Sequence, residues 1–300
     1  MPSLLIIFLM IVFLLESTIG IIGNGFIIIV LGREWVQYWT LPSGDMILAS
    51  LGISRFFLQW VAIFTNFDTY FFLTSKKLYF DIFWNFANMV SFWFTTCLAV
   101  FYCVKISSFT HPIFLWLKWR ISRIVPWLLL WSLLIPTLIY ISVYVKIYLV
   151  FQLSDTGNYS KKITLYDITR ALEWNFLMPL QMFTLLIPFL FFLSSIILLI
   201  SSLCQHLRNM KHHNADHQQP SMQVHVTTLK SLFFLIIFFT SYFLPLIITA
   251  IAPISVCSSW YWVWEVVIYS GISIHPAFLI LKSSKLRRAL KNMLHDQEVA

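Results

Sequence analysis

The sequence predicts an all-α membrane protein that crosses the bilayer as a bundle of seven transmembrane helices. Two observations lead to this prediction. Of the 300 residues, 59% are hydrophobic and only 11% are charged, and the mean hydropathy is +0.82, so the apolar surface exceeds what a soluble domain of this length needs and must face lipid. The chain also contains seven long apolar runs, and about 20 apolar residues in a helix are enough to cross the hydrocarbon core.

The seven runs define the expected spans and leave no soluble domain beside them. The first run begins without a basic leader and is too long for a cleaved signal peptide, so we expect it to remain as a helix. Residues 1–300 then form a single seven-helix domain with a cytoplasmic tail at 282–300. The expected spans are 3–31, 46–67, 82–108, 124–149, 179–203, 229–253 and 260–281.

The distribution of lysine and arginine between the loops predicts the orientation, because cytoplasmic loops carry the excess of basic residues. Twelve basic residues on one side and five on the other place the C-terminus inside and the N-terminus outside. The only glycosylation sequon, Asn158-Tyr159-Ser160, falls in the predicted outer loop between the fourth and fifth spans, so Asn158 is the expected glycan acceptor. The inner set is Arg33, Lys118, Arg120, Arg123, Arg208, Lys211, Lys230, Lys282, Lys285, Arg287, Arg288 and Lys291, and the outer set is Lys76, Lys77, Lys161, Lys162 and Arg170.

The placement of the positive charge also decides between possible partners. The formal net charge is +8, but the basic residues lie along the inner membrane face and not in a patch interleaved with aromatic residues, which argues against nucleic-acid binding. We expect anionic membrane lipid and a cytosolic protein as partners instead.

Cysteine usage predicts neither a disulfide nor a metal site, and no cofactor is expected. Cys97 and Cys103 lie within the third span, Cys204 near the inner end of the fifth and Cys257 near the outer end of the sixth. No two of them are plausible partners in an outer loop, so all four are expected to be free, buried thiols. Zinc-type spacing is missing. Scattered carboxylates and the lack of a Gly-x-Ser-x-Gly turn predict that the chain is not an enzyme.

Two charged residues, Glu16 and Arg55, stand near the middle of the first and second spans, where a charged side chain is costly and needs a partner. Arg55 lies roughly 15 Å into its span at about 1.5 Å per residue, and Asn24 of the first span is a candidate partner across the bundle. Three interpretations of Glu16 stay open: it pairs with Arg55, it is protonated, or it faces a wet cavity.

Several short motifs resemble those of a known family. They are LASLGISR at 48–55, WFTTCLAVFYCVKI at 93–106, FLWLKWRI at 114–121, SYFL at 241–244, HP at 275–276 and KL at 285–286. Together they resemble the type 2 (bitter) taste receptor family of G-protein-coupled receptors, and the resemblance spans essentially the whole chain. Two segments, 218–221 and 283–284, depart from the residues that are usual in this family.

The resemblance implies a function. We expect a multi-pass receptor of the plasma membrane that binds small bitter compounds and activates a heterotrimeric G protein of the gustducin, inhibitory class. A vomeronasal-type pheromone receptor is the alternative within the receptor class. A small membrane transporter is the alternative from another class, although the chain shows no convincing internal repeat.

The resemblance also implies a ligand pocket near the outer ends of the spans. Trp84 and Asn88 are four residues apart and therefore share one helical face, which by resemblance lines the pocket. Glu265 stands eleven residues before Pro276, where family members often contact ligand, and Tyr242 completes the floor. Trp84 as an interfacial anchor and Asn88 as a plain interhelical contact remain the alternatives.

For switching, the resemblance implies an intramembrane network and an inner face that contacts the G protein. The network is expected to comprise Asn24, Arg55, Tyr102, Pro188, His275 and Pro276. Its prolines lack an amide donor, so their helices can bend there. The residues expected to face the G protein are Lys105, Lys118, Arg120, His206, Lys230 and Lys285.

After the last span, residues 284–294 predict a short amphipathic helix on the inner leaflet. Leu286, Leu290, Met293 and Leu294 recur at spacings of three or four and form an apolar stripe. The basic residues between them are expected to reach anionic headgroups. A disordered, solvated tail is the alternative.

Overall fold

The computed structural model describes residues 3–71, 77–109, 111–155, 175–176, 178–213, 220–251 and 257–299. These residues form helices and no strand, so the all-α class is confirmed for the described part of the chain. The helices are α1 (Leu4–Tyr38), α2 (Ser43–Phe71), α3 (Lys77–Ile106), α4 (Pro112–Asp155), α5 (Met178–His213), α6 (Pro220–Ile251), α7 (Ser259–Lys282) and α8 (Ser284–Val299).

The helices have the length and surface of membrane spans. Within the described ranges, α1 to α5 and α7 are six helices long and apolar enough to cross a membrane, and α6 contains a shorter apolar stretch, Phe233–Ile248. Large apolar side chains cover the outside of the bundle; Trp127, Phe183 and Leu281 are each more than 60% exposed. Apolar exposure on this scale suits a protein whose solvent is lipid.

Several helices continue past the predicted spans. α1 ends at Tyr38 and not near 31, α4 begins at Pro112 and not at 124, and α5 extends to His213. An apolar run measures only the part of a helix that suits lipid, whereas backbone hydrogen bonding continues until a cap ends the helix. For α1 that cap is Trp39, whose φ of 55° is left-handed and whose N–H donates to the Trp35 carbonyl.

α3 is the central helix and packs against α2, α4 and α5. α1 packs against α2 and α7, and α6 packs against α5 and α7. The approach of α7 to α6 depends on Gly271, because a Cβ at this position would lie 2.9 Å from the Phe238 carbonyl oxygen.

The core has two main parts along the bundle. One part is rich in aromatic residues; we call Phe13, Phe92, Tyr242, Trp262 and Tyr269 the aromatic cluster. The other part lies toward α8, and we call this side of the bundle the α8 end.

The predicted helix after the last span is confirmed and runs further than expected, from Ser284 to Val299. It docks on the bundle, because Leu286 is only 1% exposed and Leu290 packs on the same core cluster. The disordered-tail alternative therefore does not hold for this segment.

Candidate functional site

A ladder of three buried hydrogen bonds joins α2 to α7. Asn66 donates to Glu265 Oε2 at 2.9 Å, Gln59 donates to Ser273 Oγ at 2.9 Å, and Arg55 Nη1 lies 2.6 Å from His275 Nδ1. Positions 55, 59 and 66 fall on one helical face, so their side chains point to the same neighbour. Because polar groups in lipid must be satisfied within the protein, this α2–α7 ladder fixes the two helices against each other.

Arg55 forms the rung with His275 and also reaches α3. Its Nη2 donates to Thr95 Oγ1 at 3.2 Å, and the residue is only 5% exposed. Arginine only donates hydrogen bonds, so His275 Nδ1 accepts and the imidazole proton lies on Nε2. Arg55 therefore ties α2, α3 and α7 together at one point.

Arg55 contacts neither Asn24, its candidate partner, nor Glu16, for which pairing with Arg55 is one of three interpretations. The Asn24 amide donates to the Gly20 carbonyl at 2.9 Å, one turn back in its own helix. This bond is local, so it competes well with a contact across the bundle. Glu16 is not among the partners of Arg55, which are His275 and Thr95, and Glu16 Oε1 is buried without a hydrogen-bond partner among the described residues.

Three of the four residues expected to bind ligand lie together. The Trp84 indole N–H donates to the Tyr269 hydroxyl at 2.6 Å, and the Asn88 amide donates to the Trp84 carbonyl at 2.9 Å. The Tyr242 hydroxyl donates to Asn88 Oδ1, and the Tyr242 ring stacks on Phe92. Trp84 thus points into the bundle, which does not fit its alternative role as an interfacial anchor. Asn88 does join helices, as its alternative role requires.

The fourth residue, Glu265, lies at the edge of the same cluster. It is 6% exposed and accepts the hydrogen bond from Asn66, and the Tyr261 hydroxyl donates to Asn66 Oδ1. Nearby, Phe13 contacts Trp262 and Tyr269 edge-on. Polar anchors surrounded by aromatic rings are the usual composition of a small-molecule site.

Sequence reasoning missed four residues that hold this region: Gln59, Asn66, Tyr261 and Tyr269. A signal for two of them was present, because Gln59 and Asn66 continue the polar face of α2 that begins at Arg55. The tyrosines gave no such signal, since an aromatic residue in an apolar helix usually packs in the core.

The other expected switch residues have separate places. The Thr96 hydroxyl donates to the Pro188 carbonyl at 2.9 Å, which links α3 to the proline of α5. Pro276 lies against Gly23 of α1. Tyr102 lies at the α8 end, where it lines a cavity of about 470 Å³ together with Leu98, Leu235, His275, Phe278 and Lys282.

Lys285 behaves differently from the prediction that it faces a protein partner or headgroups. Its ammonium group donates to Glu34 Oε2 at 2.7 Å and to Asp45 Oδ2 at 2.5 Å, so it joins α8 to α1 and α2. Partial burial lowers the pKa of Lys285, but hydrogen bonding to Asp45 and Glu34 outweighs it and the pKa is raised. The role of Lys285 in this structure is therefore to hold α8 on the bundle.

The remaining basic residues differ in their contacts. Lys105 is exposed, Lys118 is exposed and donates to the Ser107 carbonyl at 3.1 Å, and Arg120 lies over the Trp116 ring at 5.2 Å. His206 is half-buried on α5. Lys230 lies on α6, but its side chain and the whole of Asn158 fall outside the described residues.

The four cysteines are free, as predicted, but they are not all buried. Cys97 and Cys103 lie in the core, whereas Cys204 and Cys257 are exposed, which corrects the expectation of four buried thiols. Cys204 lies on α5, and Cys257 lies in the turn just before α7 begins.

Comparison with known proteins points to one family. The family model for taste receptor protein (TAS2R) matches residues 1–298. The chain is 47% identical to taste receptor type 2 member 134 of Rattus norvegicus over 291 residues, which cover 97% of this chain and 87% of the rat protein. It is 42% identical to taste receptor type 2 member 16 of Homo sapiens over 291 residues, or 97% and 98% of the two chains. It is 38% identical to taste receptor type 2 member 41 of Mus musculus over 301 residues, or 98% and 97%.

These matches run through every helix described above and confirm the resemblance that the short motifs carry. The family consists of receptors and not of enzymes, so the prediction that the chain is not an enzyme is confirmed. The chain belongs to the taste receptor type 2 family of G-protein-coupled receptors.

Proposed function

We propose that this protein binds small bitter compounds at the aromatic cluster and activates a gustducin-type, inhibitory-class G protein at the α8 end. In this proposal α6 supplies the seventh crossing, the N-terminus is outside, and the protein resides in the plasma membrane. Membership of the taste receptor family favours this function over the pheromone receptor and transporter alternatives.

The ligand site rests on Trp84, Asn88 and Tyr242. Their polar groups bond to one another or to Tyr269, so a ligand that enters must replace these hydrogen bonds. The aromatic rings around them supply apolar contact. The expected ligand is therefore a small molecule with an apolar body and hydrogen-bonding groups, and Glu265 favours a ligand that donates hydrogen bonds or carries positive charge.

The observation that carries the proposal is the α2–α7 ladder. It begins at Glu265 beside the aromatic cluster and ends at His275, which also lines the cavity at the α8 end. A ligand that moves α7 at Glu265 changes the geometry of the same helix at His275, next to the bend that Pro276 allows. This arrangement supports a receptor in which one end senses the ligand and the other contacts the G protein.

A calcium-flux assay tests the proposal. Cells that express the receptor with a taste-type G protein are exposed to a panel of bitter compounds, and responding compounds are retested on Asn88→Ala and Tyr242→Phe. Both variants should lose potency at matched surface expression, because each removes a group that the ligand would contact.

Phe83→Leu is the matched control, since Phe83 lies on α3 near Asn88 but is 63% exposed on the bundle surface. Its dose response should equal that of the wild type. Unchanged potency of both pocket variants would remove the ligand site from this cluster. A response that persists with other G-protein classes but not with the inhibitory class would contradict the proposed coupling.

A further inference from the structure

Three oxygen atoms of α1 and α2 are buried without a hydrogen-bond partner in the part of the chain that the structure describes. We propose that Glu16, Ser17 and Gln59 form a binding site for a sodium ion between α1, α2 and α7. Glu16 Oε1, Ser17 Oγ and Gln59 Oε1 are each buried without a hydrogen-bond partner among the described residues. Ser17 and Gln59 are 0% exposed.

The Gln59 amide approaches the face of α1 that carries Ser17 because α1 has a glycine at position 20. The Gln59 amide lies over Gly20 so closely that a Cβ on Gly20 would be 1.9 Å from Nε2 and 2.7 Å from Oε1. The Cα–Cβ direction in a helix tilts toward its N-terminus, so this position lies over the preceding turn. That turn carries Ser17 and Glu16, three and four residues before Gly20.

The orientation of the Gln59 amide is set by α7. Its Nε2 donates one hydrogen bond to Ser273 Oγ at 2.9 Å, and its carbonyl oxygen is the atom without a partner among the described residues. The site thus involves three helices: α1 and α2 supply the oxygens, and α7 holds the amide in place.

The chemistry of the three groups favours a cation. A carboxylate and an amide carbonyl only accept hydrogen bonds, and the single Ser17 hydroxyl proton can satisfy only one of them. An unsatisfied polar group in lipid is costly, whereas a cation can be coordinated by all three oxygens at once.

The charge of the site favours a monovalent ion. One carboxylate balances one positive charge, while a calcium ion takes about 6–8 oxygen ligands, including carboxylates. Coordination of sodium by oxygens between helices is known in membrane proteins.

A bound ion should stabilise the folded receptor, because a ligand that binds only the native state raises its stability. The test is thermal unfolding of the purified full-length receptor in detergent, followed by tryptophan fluorescence. The midpoint is compared between sodium chloride and N-methylglucamine chloride at equal ionic strength, without any agonist. The wild type should unfold at least about 2 °C higher in sodium.

Ser17→Ala and Glu16→Gln should both lose this sodium-dependent difference. Thr18→Ala is the matched control: it removes a hydroxyl from the next residue, where the hydroxyl is exposed and donates to the Leu14 carbonyl. It should keep the full difference. Ser17→Ala decides the question if Glu16→Gln does not fold, because it removes one atom and leaves the charge in place.

Three results would overturn the proposal. The first is a wild type with the same midpoint in both salts, and the second is a Ser17→Ala variant that keeps the difference. The third is a stabilisation that follows pH and not sodium, which would assign a proton to Glu16. None of these results depends on the identity of the bitter ligand, so this test is independent of the proposed function.

Discussion

Arg55 and His275 are 220 positions apart in the sequence, and their side chains meet at 2.6 Å inside the bundle. Arg55 donates hydrogen bonds to two uncharged acceptors, the neutral imidazole of His275 and the hydroxyl of Thr95. A contact of this kind depends on geometry more than on charge attraction, so it can rearrange when α7 moves. This is the property that a switch between two arrangements requires.

The first prediction concerns this contact. Arg55→Lys should destabilise the receptor by about 1–3 kcal/mol, because a lysine cannot hold His275 and Thr95 with one planar group and a buried acceptor is left unsatisfied. Thermal unfolding in detergent measures the loss. Phe57→Leu, at a 60% exposed position of α2, is the control. Equal stability of wild type and Arg55→Lys would show that the contact does not hold the bundle.

The second prediction separates charge from packing at Glu265. Glu265→Gln keeps an oxygen that can accept from Asn66, so stability should change little. Potency of a bitter agonist that is cationic or donates hydrogen bonds should fall by about tenfold or more, since hydrogen bonds to charged groups are worth about 1.5–3 kcal/mol. Calcium flux at matched surface expression measures potency. An unchanged dose response would exclude Glu265 from ligand recognition.

The third prediction concerns the docking of α8. Leu286→Ser should lower surface expression and thermal stability, because burial of a leucine side chain contributes about 1.5–3 kcal/mol. Leu290→Ser should have a smaller effect of the same sign. Leu294→Ser is the matched control on the same stripe, since Leu294 is 55% exposed. Equal effects of Leu286→Ser and Leu294→Ser would mean that lipid contact, and not docking on the bundle, holds the helix.

The fourth prediction concerns the ion pairs of Lys285. Lys285→Met should lower stability modestly, because exposed pairs contribute roughly 0.2–1 kcal/mol each, and the loss should shrink at high salt. Since the folded-state pKa of Lys285 is raised, the contribution is fully present at neutral pH. It is lost only as the pH rises through the folded-state pKa, above the ordinary value.

Unfolding midpoints at low and high potassium chloride test this prediction. Lys291→Met is the control, because Lys291 is exposed on the same helix. A loss that does not depend on salt would contradict an electrostatic role for Lys285.

The fifth prediction is a glycan on Asn158, in the predicted outer loop. Asn158→Gln and Ser160→Ala each destroy the sequon, so both should produce the faster-migrating band that glycosidase treatment produces from the wild type. Gel mobility of the wild type that glycosidase does not change would contradict the predicted orientation of this loop.

Much of the fold follows from the sequence because lipid imposes strict requirements. Each apolar run has to become a helix, since only a helix satisfies its own backbone hydrogen bonds within one span. The cost of charge in lipid singles out Arg55 and Glu16 by their positions in the chain alone. The family is also identifiable from short local motifs such as LASLGISR, because such motifs require no knowledge of packing.

The partners of these residues were decided only by the tertiary structure. Asn24 was a reasonable partner for Arg55 by depth, but depth does not say which faces of two helices meet, and His275 of α7 took that place. In the same way, the sequence predicted Lys285 to lie in a basic segment that faces solvent, whereas docking of α8 places it between Glu34 and Asp45. The physical reason is that the rotation and packing of each helix depend on all neighbouring helices at once. Contacts between residues far apart in sequence therefore cannot be predicted from the sequence of one helix alone.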